Sequence, residues 1–169
     1  MIETLSALLT DPSVPSWHVV VIHFPIALLC LAPLFDLACL VFRSRVWLDR
    51  AAAAFYLMGT VGAATAYLTG QKAAARAGDL TAAAESAVAD HEALAVVTLV
   101  ALAFVALFRF LVSWLARHDT RIHIGIFRLL ALPLALLGVA LLVATADRGG
   151  TLVYQHGVGV SQQADEHSR

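Results

Sequence analysis

Apolar residues along this chain fall into four long runs separated by short polar stretches. The runs cover residues 18–42, 51–70, 91–115 and 124–146. A helix of about 20 apolar residues is long enough to cross the hydrocarbon core of a bilayer. The pattern therefore predicts an all-α integral membrane four-helix bundle. We expect one transmembrane domain over residues 1–169, with a polar C-terminal tail over 147–169.

Composition supports a lipid environment. Of the 169 residues, 60% are hydrophobic and only 14% are charged, and the mean hydropathy is +0.82. Soluble domains carry about 25% charged residues. The arginines are scattered at the ends of the apolar runs and form no basic stripe, so binding to nucleic acid is not expected.

The distribution of charge predicts an orientation. Arginines gather in and beside the loops that follow the first and third runs: Arg43, Arg45, Arg50, Arg117, Arg121 and Arg128. The opposite side carries most of the acidic residues. By the positive-inside rule, the arginine loops lie in the cytoplasm. We therefore expect both termini on the periplasmic side of a bacterial inner membrane.

The second run is rich in small residues. Gly59 and Ala63 are four residues apart, as are Gly62 and Ala66. Such pairs let a neighbouring membrane helix approach closely. We expect this helix to serve for packing.

Two opposite charges fall at the same depth of the predicted bundle. Asp36 lies six residues before the end of the first run, and Arg109 lies six residues before the end of the third. Charges in hydrocarbon are costly and usually find partners. The sequence predicts an Asp36–Arg109 ion pair, with a proton-conducting role for the carboxylate as the alternative.

Four histidines are expected at the end of the bundle opposite to the arginine loops. His18 and His23 open the first run, His91 opens the third, and His156 follows the fourth. Neutral imidazole is an effective ligand for metal and for haem. On a regular helix, five residues correspond to about 140° of rotation and about 7.5 Å of rise. His18 and His23 therefore do not easily reach one metal ion together.

A planar cofactor beside the first helix meets this geometry better, because facing helices can fill its two axial positions. Axial histidines near one face of a membrane bundle suit b-type haem, and one or two haems fit four histidines. We expect His23 and His91 as the main axial pair. His18 and His156 would form a second pair or support the first, and Arg148 would pair with a propionate. Pro25 would bend the first helix to open the pocket.

Two other classes of protein fit the same residues. One is a zinc or copper protein, with zinc held by His23, His91 and Glu92. The other is a structural accessory subunit of a respiratory or photosynthetic complex, in which hydrogen bonds satisfy the histidines. The only methionines are Met1 and Met58, which argues against a soft-ligand copper(I) pathway.

The chain resembles a bacterial family of four-span membrane proteins classed as domain of unknown function 2231. The resemblance rests on three features: the segment from His18 to Leu28, with the pattern HxxxxHFPIAL; His91 at the start of the third run; and the segment Gly149–Val160, GGTLVYQHGVGV. Where the family pattern has a proline after the first histidine, this chain has Val19.

Some members of the family are joined to cytochrome c-like modules, so the resemblance implies electron transfer in or near the periplasm. Together with the histidines, it leads us to expect a haem protein. Electrons would pass from a membrane donor such as quinol to a periplasmic cytochrome c or to a larger membrane complex or homo-oligomer. If the protein is active, we expect a redox component rather than a hydrolase.

Overall fold

The computed structural model describes residues 17–42, 46–118 and 124–159, and all regular secondary structure in this part of the chain is helical. The helices are α1 (Trp17–Val21), α2 (His23–Val41), α3 (Val46–Ala74), α4 (Ala82–His118) and α5 (Ile124–Tyr154). Helices α1 and α2 form a single apolar stretch, so four segments are long and apolar enough to cross a membrane. The predicted all-α protein with four membrane helices is confirmed.

The first membrane segment is interrupted at Ile22, three residues before Pro25. Proline has no backbone N–H, so the carbonyl of Val21 loses its partner in the helix. The chain nevertheless continues in the same direction, because the backbone N–H of Ile22 donates to the carbonyl of His18 at 3.0 Å. The predicted effect of Pro25 is thus a local irregularity between α1 and α2.

The helices extend further than the apolar runs from which they were predicted. Helix α4 begins at Ala82 rather than at His91, and α5 continues to Tyr154 rather than ending at Ala146. Residues 147–154, which we expected in the tail, are therefore helical, while residues 160–169 of the tail lie outside the described residues. The length of an apolar run reflects the thickness of the hydrocarbon core, whereas a helix continues until its terminal backbone groups are capped.

Glycine provides that cap at the end of α5. Gly157 has a φ of +65°, a conformation that glycine adopts without steric cost. The N–H of Gly157 donates to the carbonyl of Val153 at 3.2 Å, which is the hydrogen bond of an αL cap. Gly157 thus ends the helix.

Neighbouring helices in sequence are antiparallel neighbours in space, and α5 closes the bundle by packing against α2. Helices α2 and α3 are antiparallel, because residues later in α3 lie beside residues earlier in α2. Gly59 is next to Leu29, and Gly62 is next to Phe24 and Pro25. A Cβ at Gly59 would lie 2.6 Å from Cγ of Leu29. The small residues of the second run therefore serve close packing within the chain, as their spacing predicts.

A compact apolar core occupies the middle of the bundle. It consists of Leu29, Ala32, Tyr56, Leu102, Val105, Ala106 and Ala135. Many large apolar side chains of the same helices are exposed, among them Leu34, Leu68 and Leu107. In a bilayer these side chains contact lipid, so a small protein core is sufficient. Polar groups gather on either side of this core.

Candidate functional site

His18 is held at one end of the bundle by the backbone of α3. Its Nδ1 lies 2.8 Å from the carbonyl oxygen of Ala66, and a carbonyl can only accept, so Nδ1 carries the hydrogen. The ring also rests on Gly70, where a Cβ would lie 3.0 Å from Cε1 of the imidazole. In the neutral ring, Nε2 is therefore left with its lone pair. This is the tautomer that binds metal through Nε2.

His91 is held in a corresponding way by α5. Its ring packs on Gly149, where a Cβ would lie 3.2 Å from Cε1. Its Nδ1 is buried and has no hydrogen-bond partner among the described residues. The backbone of Thr145 is close enough to influence the ring, but it forms no hydrogen bond of good geometry with Nδ1. The ring is thus fixed by its packing on α5 rather than by a hydrogen bond of good geometry.

The structure brings His18, His91 and Arg148 together. His18 contacts Ala66 and Gly70 of α3, and Glu92, next to His91 in sequence, hydrogen-bonds to Tyr67 and Gln71 of the same helix. His91 itself rests on Gly149, the residue after Arg148. Arg148 is exposed and leaves its guanidinium available to an anionic group. Two imidazoles and an arginine, delivered by α1, α4 and α5, thus share one end of the bundle.

His23 and His156 are not brought into this group. His23 is exposed, and its Nδ1–H donates to the carbonyl of Val19, four residues earlier, at 2.7 Å. His156 follows the end of α5 and is half-buried. Among the described residues, neither forms a hydrogen bond with another histidine. The pairing of His23 with His91, to which the sequence pointed, stays a prediction.

Glu92 is bonded to α3 instead of being available as a metal ligand. Its Oε1 accepts hydrogen bonds from the Tyr67 hydroxyl at 3.2 Å and from Gln71 Nε2 at 3.1 Å. Within residues 17–42, 46–118 and 124–159, no three His, Cys, Asp or Glu side chains come close enough to hold a metal ion. The set of His23, His91 and Glu92 expected for zinc is therefore not assembled.

Arg109 forms a second polar group on the other side of the apolar core. Its side chain is fully buried, and its Nε donates to Oδ1 of Asp36 at 2.6 Å. The structure thus brings together the two residues whose equal depth predicted an ion pair. The pair joins α2 to α4, which lie diagonally across the bundle.

The same guanidinium makes two contacts that the sequence did not indicate. NH2 donates to Oδ1 of Asp49 at 2.8 Å, and NH1 donates to the Ser113 hydroxyl at 2.6 Å. Tyr56 donates to Oδ2 of Asp36 at 2.9 Å, so both oxygens of that carboxylate are engaged. Asp49 precedes the apolar run of α3 and resembled a loop residue. The sequence offered one signal for this contact: Asp49 is an acidic residue among the arginines that follow the first apolar run.

The fold defines the class of this protein: an integral membrane bundle of four apolar segments, with a histidine pair on one side of its core and a buried charge cluster on the other. The chain belongs to the family described as Predicted membrane protein (DUF2231), whose model matches residues 15–162. No curated protein and no solved structure was found to match the chain.

Proposed function

We propose that this protein binds b-type haem at the histidine end of the bundle and transfers electrons there. The observation that carries the proposal is the pair of imidazoles at one end of the bundle, each resting on a glycine, with Nδ1 of His18 held by a backbone carbonyl so that its Nε2 keeps its lone pair. A haem iron receives four ligands from the porphyrin, so the protein has to supply only two. Two histidines without a third ligand suit haem better than zinc, which takes three or four protein ligands.

The residues of the chain would have distinct roles. His91 would be one ligand of the iron, and His18 is better supported than His23 as the other, because its ring is fixed by Ala66 and Gly70 whereas that of His23 is exposed. The Ala66 carbonyl would fix the tautomer of His18 through Nδ1, as a backbone carbonyl does for many ligating histidines. Arg148 would pair with a propionate. The bound haem would supply a one-electron redox couple.

The orientation of the protein belongs to the same proposal. The positive-inside rule supports cytoplasmic arginine loops and periplasmic termini, so the histidine end would face the periplasm of a bacterial inner membrane. A quinol in the bilayer would be the electron donor. A periplasmic cytochrome c, or a complex of which the protein is a subunit, would be the acceptor.

The test is a reduced-minus-oxidised visible spectrum of the detergent-purified protein, with a pyridine haemochrome assay on the same sample. We expect b-type bands that are lost in His18→Ala and in His91→Ala. His23→Ala is the matched control, since it removes an exposed imidazole five residues from His18. Loss of the bands in His23→Ala instead of His18→Ala would assign the second ligand to His23.

Two results would contradict the proposal. One is the absence of a Soret band after haem is supplied during expression. The other is an unchanged spectrum in His91→Ala. A colourless protein that contains stoichiometric zinc or copper would favour the metal alternative. A protein without any cofactor that co-purifies with a respiratory or photosynthetic complex would favour an accessory subunit.

A further inference from the structure

A groove with an apolar lining lies on the outer surface of the bundle, where α1 and α2 meet α3. Its volume is about 620 Å³, within the range of small-molecule sites. The lining side chains include Val20, Phe24, Leu57, Met58, Val61 and Thr65. Thr65 donates its hydroxyl hydrogen to the carbonyl of Val61 at 2.9 Å, so the groove offers a hydrocarbon surface to its occupant.

His23 lies beside this groove on the same stretch of helix. It follows Val20 by three residues and directly precedes Phe24, and residues three apart are neighbours on a helix surface. His23 also lies within Trp17–Val41, a segment long and apolar enough to cross a membrane. Its imidazole is exposed on the outside of that segment, and in a bilayer an exposed side chain of such a segment faces lipid.

One nitrogen of that imidazole is available to a ligand. Nδ1–H is engaged by the Val19 carbonyl, and Nε2 of the neutral ring is an acceptor without a hydrogen-bond partner among the described residues. A polar atom in hydrocarbon costs free energy unless it is hydrogen-bonded. We therefore expect Nε2 of His23 to accept a hydrogen bond from a molecule that carries a donor group within the membrane.

We propose that the groove and His23 form a binding site for a membrane quinol. A quinol hydroxyl would donate to Nε2 of His23, and the isoprenoid tail would lie along Phe24, Met58 and Val61. A phospholipid fits less well, because its phosphodiester offers only acceptors and the ammonium or hydroxyl donors of its headgroup lie at the surface of the bilayer. The inference rests on the proposed function, since His18 lies five residues from His23, about 7.5 Å along the helix axis.

Binding of a decyl-chain benzoquinol to the full-length protein in nanodiscs tests the site. Val61→Trp fills the groove, and Val100→Trp is its matched control, because the two valines are 60% and 64% exposed and Val100 lies on α4. We expect saturable binding that Val61→Trp weakens at least tenfold and Val100→Trp changes less than twofold. His23→Ala should weaken binding about tenfold, and His23→Gln should recover part of it, since its amide oxygen accepts a hydrogen bond.

Equal binding by the two tryptophan variants, or an unchanged affinity in His23→Ala, would overturn the inference. So would displacement of the quinol by an equal concentration of a decyl phosphocholine, which would identify a lipid-chain groove. Haem content is measured on the same samples. Protein that lacks haem and still binds quinol would contradict the proposed function alone, whereas haem-replete protein that binds no quinol would contradict only the groove.

Discussion

Replacement of Arg109 tests how far the buried charge cluster holds the bundle together. Arg109→Met keeps much of the side-chain volume but removes three hydrogen bonds, of 2.6, 2.6 and 2.8 Å. It leaves Asp36 and Asp49 buried, at 3% and 6% exposure, without this cation. Removing one partner of a buried ion pair costs about 3–5 kcal/mol. We expect a loss of that size in the free energy of unfolding.

Two further variants separate the effect of charge from that of side-chain volume. Arg109→Lys keeps the charge, but an ammonium cannot reproduce the fork of the guanidinium, so we expect a smaller loss of about 1–2 kcal/mol. Combining Arg109→Met with Asp36→Leu removes a carboxylate together with its partner. The double variant should be at least ~2 kcal/mol more stable than the sum of the two single effects predicts.

The assay is unfolding in mixed micelles by titration with sodium dodecyl sulfate, followed by circular dichroism. A loss below ~1 kcal/mol in Arg109→Met would refute the argument that this cation compensates the buried carboxylates. Additivity in the double variant would show that Asp36 and Arg109 are not energetically coupled.

The remaining predictions concern packing, the haem site and hydrogen bonds. Gly59→Ala places a Cβ 2.6 Å from a leucine side chain of α2, so it should cost about 1–3 kcal/mol in the same titration. Gly149→Ala places a Cβ 3.2 Å from the α4 imidazole and should lower the haem-to-protein ratio of purified protein. Gly150→Ala, whose Cβ meets nothing closer than 4.0 Å, should leave that ratio unchanged. Tyr56→Phe removes a buried hydrogen bond to a carboxylate and should cost about 1–3 kcal/mol. Tyr67→Phe removes an exposed one and should cost clearly less than Tyr56→Phe, because solvent replaces the lost hydrogen bond; equal losses would contradict the role of burial.

The sequence by itself determined the number and approximate position of the membrane helices. The length of an apolar run is a local property that the thickness of the bilayer dictates. The pairing of Asp36 with Arg109 was also accessible, because in an up-and-down bundle the first and third helices are parallel, and the two residues lie equally far from the ends of their apolar runs. Neither inference requires knowledge of how a helix is rotated about its axis.

Tertiary structure decided which side chains meet. His18 is fixed in place because α1 packs on α3 and the Ala66 carbonyl and Gly70 hold the ring. Asp49 joins the charge cluster because α3 begins at Val46, before the start of its apolar run. The rotation of each helix about its axis and the length of its polar ends depend on contacts between segments distant in sequence. The local hydrophobic pattern does not determine those contacts.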